Sequence, residues 1–424
     1  MPFAIEPGLH PGQPPAIGLL ALGAVLVAAV VAVTHQRGRA WSASLLYVAV
    51  GLGAAAVLDA MEITWVDPVG SPDAMVRLTE IAVVVAVFAN GIRIDRELKI
   101  RRWRPTVRLL AITMPLSVAA VAGLGVGLLG LSLGAAIVLG AALSPTDPVL
   151  AGDVGETQPG NEEPEAEFAI TSEASLNDGL AAPFIVLGLL VAGDDLPGSW
   201  GSWLGIDLVL RCAIGVAAGA VVGRLAGRAV PRLREREWLH TGYDAIFICG
   251  LALATFGAGE VLGGYGFLSA FAGGVAFRRC EREHETHAAA HHGAERLERL
   301  FELLVLLLAT SSATSALLDV PGAEGWLLAA LTIVVVRPVL GWLSLAGVRE
   351  TRGADRLYVS WFGVRGIGTL FYASAVVASG VLAKDEAAVV WWTALATVLV
   401  SIGVHGLTSG PATRAMAARR DAAA

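Results

Sequence analysis

The sequence predicts an all-α integral membrane protein with about 13 transmembrane helices, and three observations carry that reading. The first is composition: 55% of the 424 residues are hydrophobic, 16% are charged, and the mean hydropathy is +0.67. A soluble domain carries about 25% charged residues. The second is the spacing of the charges, which cluster between runs of Ala, Val, Leu and Gly. Those runs repeatedly reach the ~20 residues that a helix needs to cross about 30 Å of hydrocarbon. The third is that the runs are continuous, whereas a membrane barrel shows alternating segments of about 10 residues. A helix satisfies its backbone hydrogen bonds within its own span, as lipid requires.

The apolar runs place the spans at 16–34, 41–60, 76–92, 106–129, 131–153, 167–192, 203–223, 240–261, 263–278, 299–318, 326–346, 355–381 and 388–408. Residues 1–408 read as one transmembrane domain carrying a polar cytoplasmic insertion at 280–298, followed by a short cytoplasmic tail, 409–424. Loop charges orient it. With the N-terminus outside, the inside loops hold Arg37 and Arg39, the cluster from Arg93 to Arg104, and the run from Arg224 to Arg236. Arg278, Arg279, Arg282, Arg296, Arg349, Arg352 and the tail residues Arg414, Arg419 and Arg420 fall on the same side. The opposite loops hold Asp67, Asp73, Asp194, Asp195, Asp319 and Glu324. That is the positive-inside pattern, with the C-terminus cytoplasmic. The acidic stretch 153–166 is the one inside loop that departs from it. Met1 to Pro15 contains no Lys or Arg, which argues against a cleaved signal peptide. Cys212, Cys249 and Cys280 lie in or beside apolar runs and read as small buried hydrophobes.

Two features admit two readings each. The insertion carries His284, His287, His291 and His292, which form either a solvated helix or a pH-sensing or metal-binding face. Gly215, Gly219, Gly223 and Gly227 make a stripe of small residues that fits helix packing inside the protomer or a dimer contact.

The chemistry lies in polar residues inside the spans, where ionisable groups are costly and mark ion pathways. Span five contains Ser144-Pro145-Thr146-Asp147-Pro148, whose two prolines remove two backbone donors, so the helix is expected to break there. Broken helices expose carbonyls and helix ends that can hold ions. Span six contains Glu173, Asn177 and Asp178. Five positions turn a helix through about 500°, so Glu173 and Asp178 point in different directions and take different roles. Asn177 can tie span six to the broken backbone, leaving Asp178 to face an aqueous cavity. Arg337 and Arg365 lie deep in apolar context and call for pairing; Glu173 with Arg337 reads as scaffold.

These motifs, taken with Phe267 to Gly274 and Trp361-Phe362-Gly363-Val364-Arg365-Gly366, resemble in span order the sodium/proton exchangers of the cation:proton antiporter-1 family. The resemblance implies two inverted repeats, with broken helices five and twelve crossing beside the site, a homodimer, and an elevator-like movement of the ion-binding bundle. It implies that Asp178 binds cation and proton in turn, with Thr146 as a further cation ligand through its backbone and Asp147 and Ser175 nearby. Asn177, Glu173, Arg337 and Arg365 would stabilise the site. An Asn-Asp pair resembles the electroneutral members. Two departures stand out: Ala174 occupies a position that often holds Ser, and Ala89-Asn90-Gly91 lacks a common acid. The ion shell is therefore expected to be looser or less negative.

The resulting expectation is a cell-membrane antiporter serving pH homeostasis, exchanging Na+, or K+ or Li+, for H+ by alternating access. It calls for no cofactor and no nucleic acid. A cation channel would use the same polar residues, but no repeated filter motif is present. An intramembrane enzyme would need a nucleophile or metal set, and no such motif appears. A transporter of another solute on the same fold is the remaining alternative; Asp178 would repel an anion.

Overall fold

A computed structural model describes residues 43–62, 66–94, 96, 102–147, 164–193, 200–281, 288–314 and 316–421, with isolated positions 23, 26, 27 and 31. The described residues are helical and include no strand, and seven of their helices are long and apolar enough to cross a membrane. The chain is a multi-pass membrane protein. In order come α1 (Ala43–Ala60), α2 (Asp73–Arg93), α3 (Arg104–Leu129), α4 (Leu133–Ala142) and α5 (Glu165–Ala192). These are followed by α6 (Trp203–Glu235), α7 (Asp244–Val261), α8 (Gly266–Glu281) and α9 (Ala288–Ser311). The chain ends with α10 (Gly322–Ser344), α11 (Ala354–Trp361), α12 (Ile367–Ser379) and α13 (Lys384–Asp421). Every predicted span from 41–60 onward coincides with a helix, or with the pair α11 and α12. The first predicted span, Arg37, Arg39, most of the acidic 153–166 stretch, Asp194, Asp195, His284 and His287 lie outside the described residues.

Local sequence sets the helix ends. Gly130 at φ +64° closes α3 in the left-handed conformation that glycine adopts without strain. The Ser132 hydroxyl caps α4 by accepting the Ala135 N–H at 3.3 Å. α4 stops at Ala142, just ahead of Pro145, because a proline disfavours helical backbone before it.

Two halves of the chain share one design. In α3 a widened π-helical turn, Leu109–Thr113, precedes Met114-Pro115; in α10 the turn Thr332–Val336 precedes Arg337-Pro338. A proline lacks the N–H and clashes with the turn before it, and a π turn accommodates both effects. In each half an interrupted helix follows: α4 with its non-helical end in the first, α11 with α12 in the second. By the span order the sequence predicts, the corresponding helices lie an odd number of crossings apart, the arrangement expected of inverted repeats.

The glycine stripe of α6 faces α8. A Cβ added at Gly215, Gly219 or Gly223 would meet the main chain of Tyr265, Ser269 or Gly273, and one at Gly227 would meet Cys280 and Phe277. The stripe is therefore a packing face inside the protomer, where glycine lets two backbones touch. Gly219→Ala is expected to push α6 from α8 and cost about 1–3 kcal/mol, as overpacking does, read as a lower melting temperature in detergent. An unchanged melting temperature would show that α6 and α8 separate freely.

Residues 288–298 form the opening turns of α9, with Gly293 against Ala245 and Glu298 buried. Of His291 and His292 only the helical backbone is described. α13 runs on through Pro411 to Asp421. Arg420 pairs with Glu167 of α5 at 2.8 Å, and Tyr358 bonds Thr413 at 3.1 Å. Apolar content ends near 408, but these polar contacts dock the helix beyond it. Arg96–Glu165, Arg234–Asp244 and Arg93–Glu298 are further ion pairs among segments that the loop charges assign to one side. The three cysteines are free thiols, and each is partly exposed rather than fully buried.

Candidate functional site: the crossing of two interrupted helices

Two non-helical segments, 143–147 after α4 and 362–366 between α11 and α12, meet and cross. The Asp147 N–H donates to the Val364 carbonyl at 2.8 Å, joining them backbone to backbone. The Arg365 guanidinium donates to the Pro145 carbonyl at 3.3 Å. The Asp147 carboxylate accepts the Ile367 N–H at 3.4 Å, so it sits at the N-terminus of α12, where unpaired amides favour negative charge. The second segment is anchored in turn to α13. Ser401 accepts the Arg365 N–H at 2.8 Å, and His405 lies between Ser401, at 3.2 Å, and the Trp361 carbonyl, at 3.1 Å.

α5 runs past the crossing without a break and presents three polar side chains. Asn177 donates from Nδ2 to the Thr146 hydroxyl at 2.8 Å, tying α5 to the first segment through a side chain rather than the backbone. Asp178 follows, half-buried, and its carboxylate accepts no hydrogen bond among the described residues. Its main-chain carbonyl accepts the Tyr372 hydroxyl. A Cβ at Gly368 would fall on the Asp178 carboxylate, so glycine is what lets α12 begin beside it. Glu173 points elsewhere. Its two oxygens take both terminal nitrogens of Arg337 at 2.5 Å, in a pair with 3% and 4% side-chain exposure. Arg337 lies against Gly363, where any side chain would collide with its guanidinium stem.

A small cavity remains at the crossing, lined by Pro145, Thr146, Asp147, Asp178 and the start of α12 from Gly366 to Thr369. Ala86 and Asn90 of α2 close it. It has room for about one water-sized body. Asp178, Thr146 and Asp147 thus meet at one space, and Asn177, Glu173, Arg337 and Arg365 surround it.

Ser175 does not join them. Its hydroxyl is used on the Thr171 carbonyl at 2.6 Å, one turn back in α5, and the residue does not line the cavity. A serine inside a helix commonly bonds the i−4 carbonyl in this way. Arg365, expected to pair with an acid, holds a carbonyl instead; among the described residues it has no carboxylate partner. Sequence reasoning passed over Tyr372, Gly368, Ser401 and His405. Only His405, a titratable residue within an apolar span, gave a signal that could have been read.

An interrupted helix from each half of the chain, meeting beside a carboxylate, is an arrangement that secondary transporters use. Residues 11–415 match the family model described as sodium/hydrogen exchanger, transmembrane, and the chain belongs to that family. Na(+)/H(+) antiporter 2 of Zygosaccharomyces rouxii is 27% identical over 338 residues, 73% of this chain and 40% of the relative. K(+)/H(+) antiporter NhaP2 of Shewanella sp. (strain MR-4) is 26% identical over 280 residues, 66% of this chain and 46% of the relative. The chain thus spans less than half the length of these curated relatives. Among solved structures, the sodium proton antiporter MjNhaP1 from Methanocaldococcus jannaschii at pH 8 aligns with a TM-score of 0.72 and 17% identity, covering 92% of this chain and 99% of that one.

Proposed function

We propose that this protein exchanges a monovalent cation for protons, one for one, with both competing for Asp178. The observation that carries the reading is the division of labour among the three acids at the crossing, Glu173, Asp147 and Asp178. Glu173 is neutralised by Arg337, and Asp147 is held at the start of α12. Asp178 alone faces the cavity with no hydrogen bond to its carboxylate among the described residues. One free carboxylate takes one positive charge, either H+ or a cation. If only the neutral, loaded forms reorient the site across the membrane, movement of one ion outward requires the other to return, and no net charge crosses.

The Thr146 backbone and Asp147 would supply further oxygens to the cation, while Asn177 and Arg365 would keep the two segments crossed. Sodium is the first candidate because the Zygosaccharomyces rouxii relative is named for Na(+)/H(+) exchange. Potassium follows from the Shewanella relative, and lithium completes the set. The working unit would be a homodimer in the cell membrane with its basic ends and C-terminus in the cytoplasm, contributing to pH homeostasis.

The test is reconstitution into vesicles carrying a pH gradient and an internal pH dye. Adding sodium, potassium or lithium in turn should collapse the gradient, at a rate that a clamped membrane potential does not change. A gradient insensitive to all three cations removes the proposal, and a rate that follows the potential removes the one-for-one exchange.

A further inference from the structure

Asn90 sits in the cavity wall opposite the carboxylates, 2% exposed, on the last turns of α2. Its orientation is fixed by chemistry. Arg93, one turn on, donates from Nη1 to the Asn90 side chain at 3.0 Å. A guanidinium has five donors and no acceptor, so the atom facing it must be the amide oxygen. Arg93 is held in turn by Glu298 of α9, 2.7 Å from its other terminal nitrogen, and that carboxylate is 1% exposed. The amide therefore cannot turn over without breaking a partly buried, charge-assisted contact. With Oδ1 committed to Arg93, the group left for the cavity is the Nδ2 amide, a pair of donors. Among the described residues Nδ2 has no hydrogen-bond partner.

We infer that Asn90 is a specificity-determining residue of the ion site, a donor wall that weakens the hold of the cavity on a bare cation. Metal cations of this kind take oxygen ligands, and an N–H presents the wrong end of its dipole to them. In a cavity with room for about one water-sized body, an ion seated on Asp178 has Asn90 as a neighbour. The wall opposes that ion but donates readily to a water or to a carboxylate oxygen. Asn90, set by the Arg93–Glu298 pair, thus weakens the seat of a bare cation at Asp178 and keeps cation release easy.

This inference rests on the exchange reading, and its test separates the two. Cation binding to the purified protein is measured by titration calorimetry with sodium chloride and potassium chloride, beside the apparent KM and maximal rate of exchange in vesicles. Asn90→Ala removes the donors and is expected to lower the cation Kd and KM about threefold. Asn90→Asp replaces the donors by oxygens and a charge, and should lower both by about tenfold or more, a change of ~1.4 kcal/mol. Arg93→Gln frees the amide to turn its oxygen inward and should move the constants in the same direction with no new charge in the cavity. This variant keeps the test available if Asn90→Asp does not fold. Constants that stay put in all three variants overturn the inference, as does a Kd that rises in Asn90→Ala, the mark of a ligating oxygen. If the unaltered protein neither binds nor exchanges any monovalent cation, the exchange reading falls and takes this one with it. Normal wild-type exchange with unaltered constants in the variants removes this one alone.

Discussion

Replacing Asp178 by asparagine should abolish exchange of every cation and leave the protein folded. The two halves of that statement have separate causes. The carboxamide has nearly the shape of the carboxylate, so it fits beside Gly368, where α12 begins and no bulkier group is accommodated. Among the described residues, the one hydrogen bond made at this residue besides the helix ladder is the Tyr372 hydroxyl on its main-chain carbonyl, and that bond survives the substitution. The crossing is held by Asn177, Asp147 and Arg365, none of which leans on the Asp178 side chain. An amide, however, neither gains nor loses a proton near neutral pH and carries no charge for a cation to neutralise. The unloaded and loaded states then cease to differ. In the vesicle assay the pH gradient should persist on addition of sodium, potassium or lithium, with melting temperature and chromatographic profile unchanged. Asp178→Glu should not rescue exchange, because the longer side chain runs into the start of α12. Exchange that persists in Asp178→Asn would move the transported proton to another group, and Asp147 would be the next residue to test.

How far the site could be read from the sequence depends on what kind of physics fixed each part. Breaks and buried charges are local rules with large energies, and they were legible. Pro145 stops α4 for reasons contained in the neighbouring residues. Glu173 and Arg337 had to find partners because each would be too costly alone in lipid. Residue spacing along one helix separated Glu173 from Asp178 correctly. The orientation of a neutral side chain is a weaker preference. Ser175 lies on the right helix, yet its hydroxyl donates to the Thr171 carbonyl and does not line the cavity. Arg365 was expected to need an acid, but a backbone carbonyl exposed by the break serves it, and that carbonyl exists only once the helices have crossed. Asn90 was noted for lacking a charge; that its amide is turned by Arg93 required the packing of α9 against α2. The docking of α13 beyond residue 408 was equally hidden, since the contacts of Thr413 and Arg420 come from partners distant in sequence.

The Glu173–Arg337 pair should show the other large effect, on stability rather than on chemistry. Arg337→Met leaves a carboxylate buried with no partner, and Glu173→Gln leaves a guanidinium; each should cost about 3–5 kcal/mol, as stranding one member of a buried pair does. The two singles are expected to differ in function. Arg337 lies under the second non-helical segment, reaching toward the Phe362 carbonyl at 3.5 Å and packed against Gly363. Its unopposed charge in Glu173→Gln would stand near the cavity and favour an ionised Asp178 with no cation bound, so the remaining folded fraction should bind cations weakly. In Arg337→Met the extra negative charge has the opposite sign, and the surviving fraction should bind cations more tightly. The double variant Glu173→Gln with Arg337→Met removes both charges and should recover much of the lost stability, giving a coupling energy that the singles cannot produce if they act independently. Melting curves in detergent with and without saturating sodium chloride read both effects at once. Additive losses in the double variant would mean that the two residues hold the fold through separate contacts, and the charge left by Glu173→Gln would then have no claim on the ion site. Recovery in the double variant would instead establish that the pair isolates Asp178, keeping one carboxylate neutralised so that its neighbour on the same helix is the one that titrates.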